Sequence, residues 1–348
     1  MMQSISIIML SNHQREILTS TLDRLLHHVE EMESPVQVIV VTPHESPLTI
    51  SKVEHHVPPA LALNNFGALR NFGISKTNGE VIVFLDDDCW PAQDWLINLV
   101  APIERNQSDA VGGGILFQET NGIGRAIALL GFPAGGLARM IAAKNEMVRT
   151  SHISTGNCAF RKSLLKDPLV HGFNEELKSG GEDQDFFDRI SQKYRTHFVP
   201  SAIVFHRQRE SLLDVVRWFI RRGRAEAQRL AVKKSEFSLI KMAFCPIRSS
   251  FSFKFFLWLM LLMIAKNYWP WILAGSFVIY GLFLVFRVLV RHRWQGFEPK
   301  CDLIEARDKM MSWTVLLVAP VVKLTMDVGF EIGKIQEAIK IWKRDRNV

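Results

Sequence analysis

Asp86, Asp87 and Asp88 stand in a row at the end of the β-branched run Val81–Leu85. Open α/β sheets bind their ligands at the carboxyl ends of strands, which is where this cluster would sit. Three adjacent carboxylates repel one another and raise each other's pKa unless a cation shares them. A hard divalent ion, Mg2+ or Mn2+, would take one or two of them together with phosphate oxygens and water. The chemistry would then be metal-assisted handling of a diphosphate. A solvated acidic turn capping the helix that follows Pro91 is the other reading of the same residues.

A second acidic pair, Glu182 and Asp183, follows Gly180 and Gly181 at an expected helix start. The helix dipole favours negative charge there, and the glycines admit a substrate closely. A carboxylate so placed can take a proton from an attacking hydroxyl, or it can simply cap the helix. His206 ends a short β-branched run, where a histidine is ordinarily structural. Further on, Arg217, Arg221, Arg222 and Arg224 share a helical pattern with Trp218 and Phe219. That cationic face suits a diphosphate, lipid headgroups or a lipid-phosphate acceptor.

These residues need a frame. Apolar runs at 5–10, 36–41 and 80–85 read as strands, and Leu18, Leu22, Leu25, Leu26 and Val29 between the first two read as a helix. Strand, helix, strand implies parallel pairing. Shorter strands are expected around Ala110, Ile115, Cys158, His197 and Ile203, and a helix from Glu182 should bury Phe186, Phe187 and Ile190. The fold class is α/β, a mostly parallel sheet flanked by helices over residues 1–235. Residues 122–144 form either a buried insertion or a segment touching a membrane.

The remainder, 236–348, has the character of a membrane-associated helical region. Residues 255–265 and 269–286 are uncharged and apolar. A spanning helix needs about 20 such residues, so a hairpin over about 249–290 is expected. Trp258, Tyr268, Trp269 and Trp271 would lie at the interfaces, and Arg287, Arg291, His292 and Arg293 on the cytoplasmic side. Pro320, Lys323 and Asp327 interrupt the apolar stretch 313–330, which favours an amphipathic or re-entrant segment at about 312–342. The expected location is the cytoplasmic membrane, with the catalytic domain facing the cytoplasm.

Composition narrows the partners. The 348 residues are 48% hydrophobic, enough for a large core, and the net charge of +7 favours an anionic partner. No nucleic-acid-binding module is visible, so lipid or a phosphorylated substrate is preferred over nucleic acid. Cys89, Cys158, Cys245 and Cys301 have no C-x-x-C spacing, so neither a zinc site nor a disulfide framework is indicated. Residues 5–10 lack a basic region before them and read as a strand rather than a signal peptide.

Four blocks, "ISIIMLSNHQRE", "ALRNFGISKTNGEVIVFLDDDCWP", "TGNCAFRK" and "GEDQDFFDR", resemble successive motifs of family 2 glycosyltransferases with the GT-A fold, over about residues 5–229. The resemblance implies that Asp86 to Asp88 form a DXD-type motif. Asp86, Asp88 and His206 would then hold the metal, with Asp88 as its principal ligand. It places Ser11, Asn12, Arg70, Asn71, Asp86, Asp87, Gly156, Asn157, Arg221 and Arg224 at the nucleotide-sugar donor. Asp183 resembles the general base, with Glu182 beside it. The function implied is inverting, metal-dependent transfer of a sugar, as by a hexosyltransferase, to a sugar or lipid-linked acceptor at the cytoplasmic membrane face, in polysaccharide biosynthesis of the cell envelope.

Two departures from the family pattern carry information. Thr42 and Pro43 stand where an Asp commonly reads the nucleotide base, which leaves the nucleotide open and admits an inactive nucleotide-sugar-binding protein as an alternative. Asp214 stands where the QxxRW motif of processive synthases has Gln, which weighs against a polysaccharide synthase.

Overall fold

A computed structural model of the chain describes residues 3–11, 15–43, 50–232, 268–291 and 307–346. The strands are β1 (Ile5–Leu10), β2 (Val36–Val41), β3 (Val53–His56), β4 (Val81–Leu85), β5 (Cys89–Pro91), β6 (Ala110–Phe117), β7 (Val148–Arg149), β8 (Asn157–Arg161) and β9 (Thr196–His206). Helices α1 (Arg15–Glu30), α2 (Phe66–Ser75), α3 (Trp95–Glu104), α4 (Gly122–Leu129), α5 (Gly136–Ala143), α6 (Glu182–Ser191) and α7 (Leu212–Val232) surround them. Two further helices follow, α8 (Trp269–Arg291) and α9 (Trp313–Arg346).

The strands form one sheet in the order β3-β2-β1-β4-β8-β6-β9-β5, with β7 against β9. β1, β2, β3 and β4 are mutually parallel, as the strand, helix, strand pattern requires. The second half departs from the mostly parallel expectation. β8 enters antiparallel between β4 and β6, and β5 and β7 run antiparallel to β9, while β6 and β9 are parallel. The sheet is therefore mixed. Three residues separate β5 from the end of β4, too short a link for a crossover helix, and β5 joins the far edge of the sheet antiparallel.

Both faces of the sheet are covered. Ile5, Ile7 and Met9 of β1 pack with Leu18, Leu22 and Leu25 of α1 and with Trp95 and Leu99 of α3. On the other face, Ile8, Ile82 and Phe84 meet Phe160, Phe186, Phe187 and Ile190. The expected burial of the α6 aromatics is thus observed. Residues 122–144 are a buried insertion: Ile127, Leu129, Leu137 and Met140 join a core shared with Trp218, Phe219, Val315 and Val322. The regions before and after residue 235 therefore share one core through α4, α5, α7 and α9.

The contact of α7 with α9 is made backbone to backbone. A Cβ on Gly223 would run into the Phe330 carbonyl, one on Gly333 into the Ile220 carbonyl, and one on Gly329 would lie 2.9 Å from the Val216 carbonyl. Gly329 and Gly333 stand one turn apart and let the helices close on each other.

The first arm of the expected hairpin, 249–265, lies outside the described residues. The second arm is α8, and the interrupted third stretch continues without a break into the 34-residue α9. Among the described residues, no helix is long and apolar enough to cross a membrane. The spanning hairpin therefore finds no support here. α9 does carry an exposed apolar stripe, Trp313, Leu317, Val321, Leu324, Val328, Ile332, Ile335 and Ile339. Its spacing of three and four residues keeps it on one side of the helix.

Candidate functional site

The ends of β1, β2, β4 and β9, the start of α6 and the middle turns of α7 border a cleft of about 1120 Å³. Ser11, Arg70, Asp86, Asp87, Asp88, Glu182, Asp183, His206, Arg221 and Arg222 all line it. Residues separated by more than 200 positions in the chain are thereby brought to one place. Asn12 lies outside the described residues.

β4 delivers the acidic cluster to the sheet edge. Donor atoms of Asp86, Asp88 and Cys89 lie within 4.8 Å of one another. Burial, and next the charge of Asp88, push the Asp86 carboxyl up to about 7. Burial also pushes the Cys89 thiol well above its ordinary range, so it stays protonated and is no ligand for a hard ion. His206, at the end of β9, places Nε2 3.6 Å from Asp88 Oδ2. The pairing of Cys89 with His206 across β5 and β9 fixes that approach. The Asp87 carbonyl accepts a 2.7 Å bond from Thr21 Oγ1, which ties the cluster to α1.

Gly156 supports the cluster from beneath. A Cβ at that position would lie 2.7 Å from Asp86 Oδ2. Its role is to make room for the carboxylate, and it does not line the cleft. Asn157, expected at the donor, is buried: it donates to the Gly114 and Ala202 carbonyls at 2.9 and 2.8 Å and accepts from Trp95 Nε1 at 2.8 Å. A side chain so occupied ties β6, β8, β9 and α3 together, with both of its N–H donors spent on backbone carbonyls.

The start of α6 is set by Gly180 and Gly181, with φ of +117° and +85°, a conformation glycine alone adopts cheaply. Asp183 faces the cleft there, with Oδ1 accepting from the Gln184 amide at 2.8 Å. Glu182, expected beside it, is engaged by another side chain. It turns inward, 3% exposed, and pairs with Arg70. The Arg70 guanidinium is also enclosed by the rings of Phe66, Phe84 and Phe173 at 5.6 to 6.0 Å. Arg70 Nε and Glu182 Oε2 are buried without a hydrogen-bond partner. Burial raises the Glu182 carboxyl against the opposing pull of Arg70. This pair anchors α2 to α6, and Arg70 is not free to meet a phosphate while it holds.

Two further residues expected at the donor lie outside the cleft lining. Asn71 donates to the Phe173 carbonyl and Glu175 Oε1 and accepts from the Phe173 amide, stitching the 173–175 loop to α2 outside the cleft. Arg224 points to α9, donating to Gln336 Oε1 at 2.8 Å. Its place in the helical turn carries it past the cleft wall that Arg221 faces. In exchange, the cleft gains cations that were not assigned to the donor. Arg139 stacks 4.1 Å above Phe198 and donates to Thr150 Oγ1 and the His152 carbonyl, and Arg209 lies 4.0 Å above Trp218. Arg209 follows His206 by three residues, a proximity visible in the sequence; Arg139 sits in an apolar insertion and gave no such signal.

Residues 6–168 match the family described as Glycosyl transferase family 2. Glycosyltransferase AglE of Haloferax volcanii is 33% identical over 115 residues, 33% of this chain and 35% of that protein. The chain thus matches about a third of that relative's length. Among solved structures, the mannosyltransferase PcManGT from Pyrobaculum calidifontis, in complex with GDP-Man and Mn2+, superposes with a TM-score of 0.47 at 15% identity, over 94% of this chain and 87% of that one. GalNAc-T7 with UDP, GalNAc and Mn2+ gives 0.45 at 15% identity, over 60% and 43%.

Proposed function

We propose that the chain is an inverting, metal-dependent glycosyltransferase of the GT-A type that moves a sugar from a nucleotide-sugar donor to an acceptor at a membrane face. The observation that carries this reading is the meeting, in one cleft, of the Asp86, Asp88 and His206 cluster and the Asp183 carboxylate. Two carboxylates and an imidazole are a donor set suited to Mn2+ or Mg2+, and the Asp86 carboxyl, raised by burial and next by the charge of Asp88, is one that a cation would hold ionised. When bound, the ion would neutralise charge developing on the departing diphosphate. Asp183 takes the proton of the attacking hydroxyl from the opposite side of the sugar.

Asp183→Asn keeps the size and hydrogen bonding of the side chain and removes its basicity. The expected result is loss of transfer by about 100-fold or more with nucleotide and Mn2+ binding retained, measured by product formation and by calorimetry. Transfer at the parent rate would remove Asp183 from this role.

The membrane placement is supported by the exposed stripe of α9 and by Val278, Ile279, Leu282, Phe283 and Phe286 on α8. An apolar stripe of this length on a helix suits the interfacial plane, with the helix lying along the bilayer. The full chain should pellet with phosphatidylglycerol vesicles, and Leu317→Glu with Leu324→Glu should release it. Binding undiminished by both charges would refute the interfacial placement.

A further inference from the structure

The cleft wall formed by α7 and the segment before it carries Arg209, Arg221 and Arg222. Their guanidinium groups sit on aromatic rings: Arg209 4.0 Å from Trp218, Arg222 5.4 Å from Phe132 and 5.7 Å from Trp218, and Arg221 5.4 Å from Phe66. Neighbouring arginines are engaged, Arg70 with Glu182, Arg229 with Glu226 and Arg217 with Asp214. Among the described residues, Arg209, Arg221 and Arg222 have no hydrogen bond or ion pair. Arg222 remains accessible from the cleft although protein surrounds it. The three guanidinium groups line one wall of the cleft and present it with a cationic face that an anion fits. Burial, reinforced by repulsion from Arg221, lowers Arg209 to about 10, and Arg222 is lowered for the same reasons.

Position decides which anion. Arg209 feels Asp88 most among the carboxylates and closes the wall on the metal side, whereas the strongest opposing charge on Arg222 is Asp183. The donor diphosphate is already served by the Asp86 and Asp88 end. The wall therefore faces the substrate whose hydroxyl meets Asp183.

Resting on the glycosyltransferase reading above, we propose that Arg209, Arg221 and Arg222 hold the phosphate of a phosphorylated acceptor and thereby present its hydroxyl to Asp183. In the transfer, the hydroxyl oxygen bonds to the anomeric carbon and its proton passes to the Asp183 carboxylate. The bond from that carbon to the diphosphate breaks, and its electron pair leaves with the nucleoside diphosphate. The rings of Phe66, Phe132 and Trp218 flank the phosphate with apolar surface, which favours an acceptor phosphate carried on a lipid over a free sugar phosphate.

The test uses the full chain and two separate titrations. Binding of GDP and UDP with Mn2+ examines the donor end. Binding of farnesyl phosphate, glucose 1-phosphate and farnesol, each in the presence of the preferred nucleotide and Mn2+, examines the arginines. Farnesyl phosphate should bind and farnesol should not. Arg221→Gln and Arg222→Gln should each weaken farnesyl phosphate by roughly tenfold or more and leave nucleotide affinity within about twofold, with Arg221→Lys intermediate. Thermal melting confirms that each variant is folded.

Farnesyl phosphate tighter than glucose 1-phosphate supports a lipid carrier; equal affinities support the phosphate site and reject the lipid preference. If the glutamine variants lose nucleotide and farnesyl phosphate together, the arginines serve the donor and the proposal is overturned. Phosphate binding indifferent to the arginines, or none at all, overturns it as well. Absence of nucleotide binding with phosphate binding intact would instead defeat the glycosyltransferase reading and leave the anion site standing.

Discussion

Removal of the Arg70 guanidinium tests how the cleft is held open. In Arg70→Met the Glu182 carboxylate keeps its place, 4% exposed at the side chain, with no cation beside it. Breaking a buried pair by removing one partner costs about 3–5 kcal/mol. The lost cation–π contacts with Phe66, Phe84 and Phe173 add to this, at about 0.5–1 kcal/mol for a well-placed one. Protonation of Glu182 limits the total, because its carboxyl is already raised by burial and rises further without Arg70. The expected destabilisation is therefore about 3–5 kcal/mol at neutral pH. Adding Glu182→Leu should restore much of it, since apolar replacement of a buried pair is often close to neutral. Urea denaturation of the full chain in mild detergent, followed by tryptophan fluorescence, gives both values. A loss below about 1 kcal/mol for Arg70→Met, or a double variant no better than the single one, would refute the account of a buried, structurally essential pair.

Two other changes probe neighbouring features. Gly156→Ala places a methyl 2.7 Å from Asp86 Oδ2 and should weaken Mn2+ by roughly tenfold, with thermal stability little changed; unaltered Mn2+ titration would show that Asp86 is not a ligand. Asp167 is held down to about 2, chiefly by its hydrogen bond from Lys193 and then by Tyr194. A depressed carboxyl contributes stability above its unfolded pKa of about 3.9 and loses it as pH falls toward the folded value. Asp167→Asn should accordingly be less stable than the parent at pH 6, with the difference shrinking between about pH 4 and 2; a constant difference in melting temperature across that range would contradict it.

Local features carried most of what the sequence disclosed. Asp86 to Asp88 at a strand end, the Gly180 and Gly181 pair before Asp183, and the buried stripe of α6 all depend on neighbours a few residues away. Contacts over long separations were not legible. Glu182 pairs with a residue 112 positions earlier, so nothing adjacent to it announced that it turns inward while Asp183 turns out. Asn157 reads equally well as a ligand or a strap, and only the convergence of Trp95, Gly114 and Ala202 from three elements settles which. The antiparallel entry of β8 between β4 and β6 was hidden for the same reason, since hydrophobic runs give strands without partners. On α7 the aromatic neighbours of Arg222 were visible, whereas the turn of Arg224 toward Gln336 depends on a helix more than 100 residues away.

The glycine seam between α7 and α9 has a mechanical consequence. Side chains between helices behave as a compliant layer, but at Gly223, Gly329 and Gly333 the two backbones touch, so the helices turn as one piece. One rim of that piece bears Arg221 and Arg222, and the other bears the row from Trp313 to Ile339. If that row lies on a bilayer, the seam works as a fixed gauge: it sets the height of the arginines above the lipid, and with it the length of tether on which an acceptor can reach Asp183.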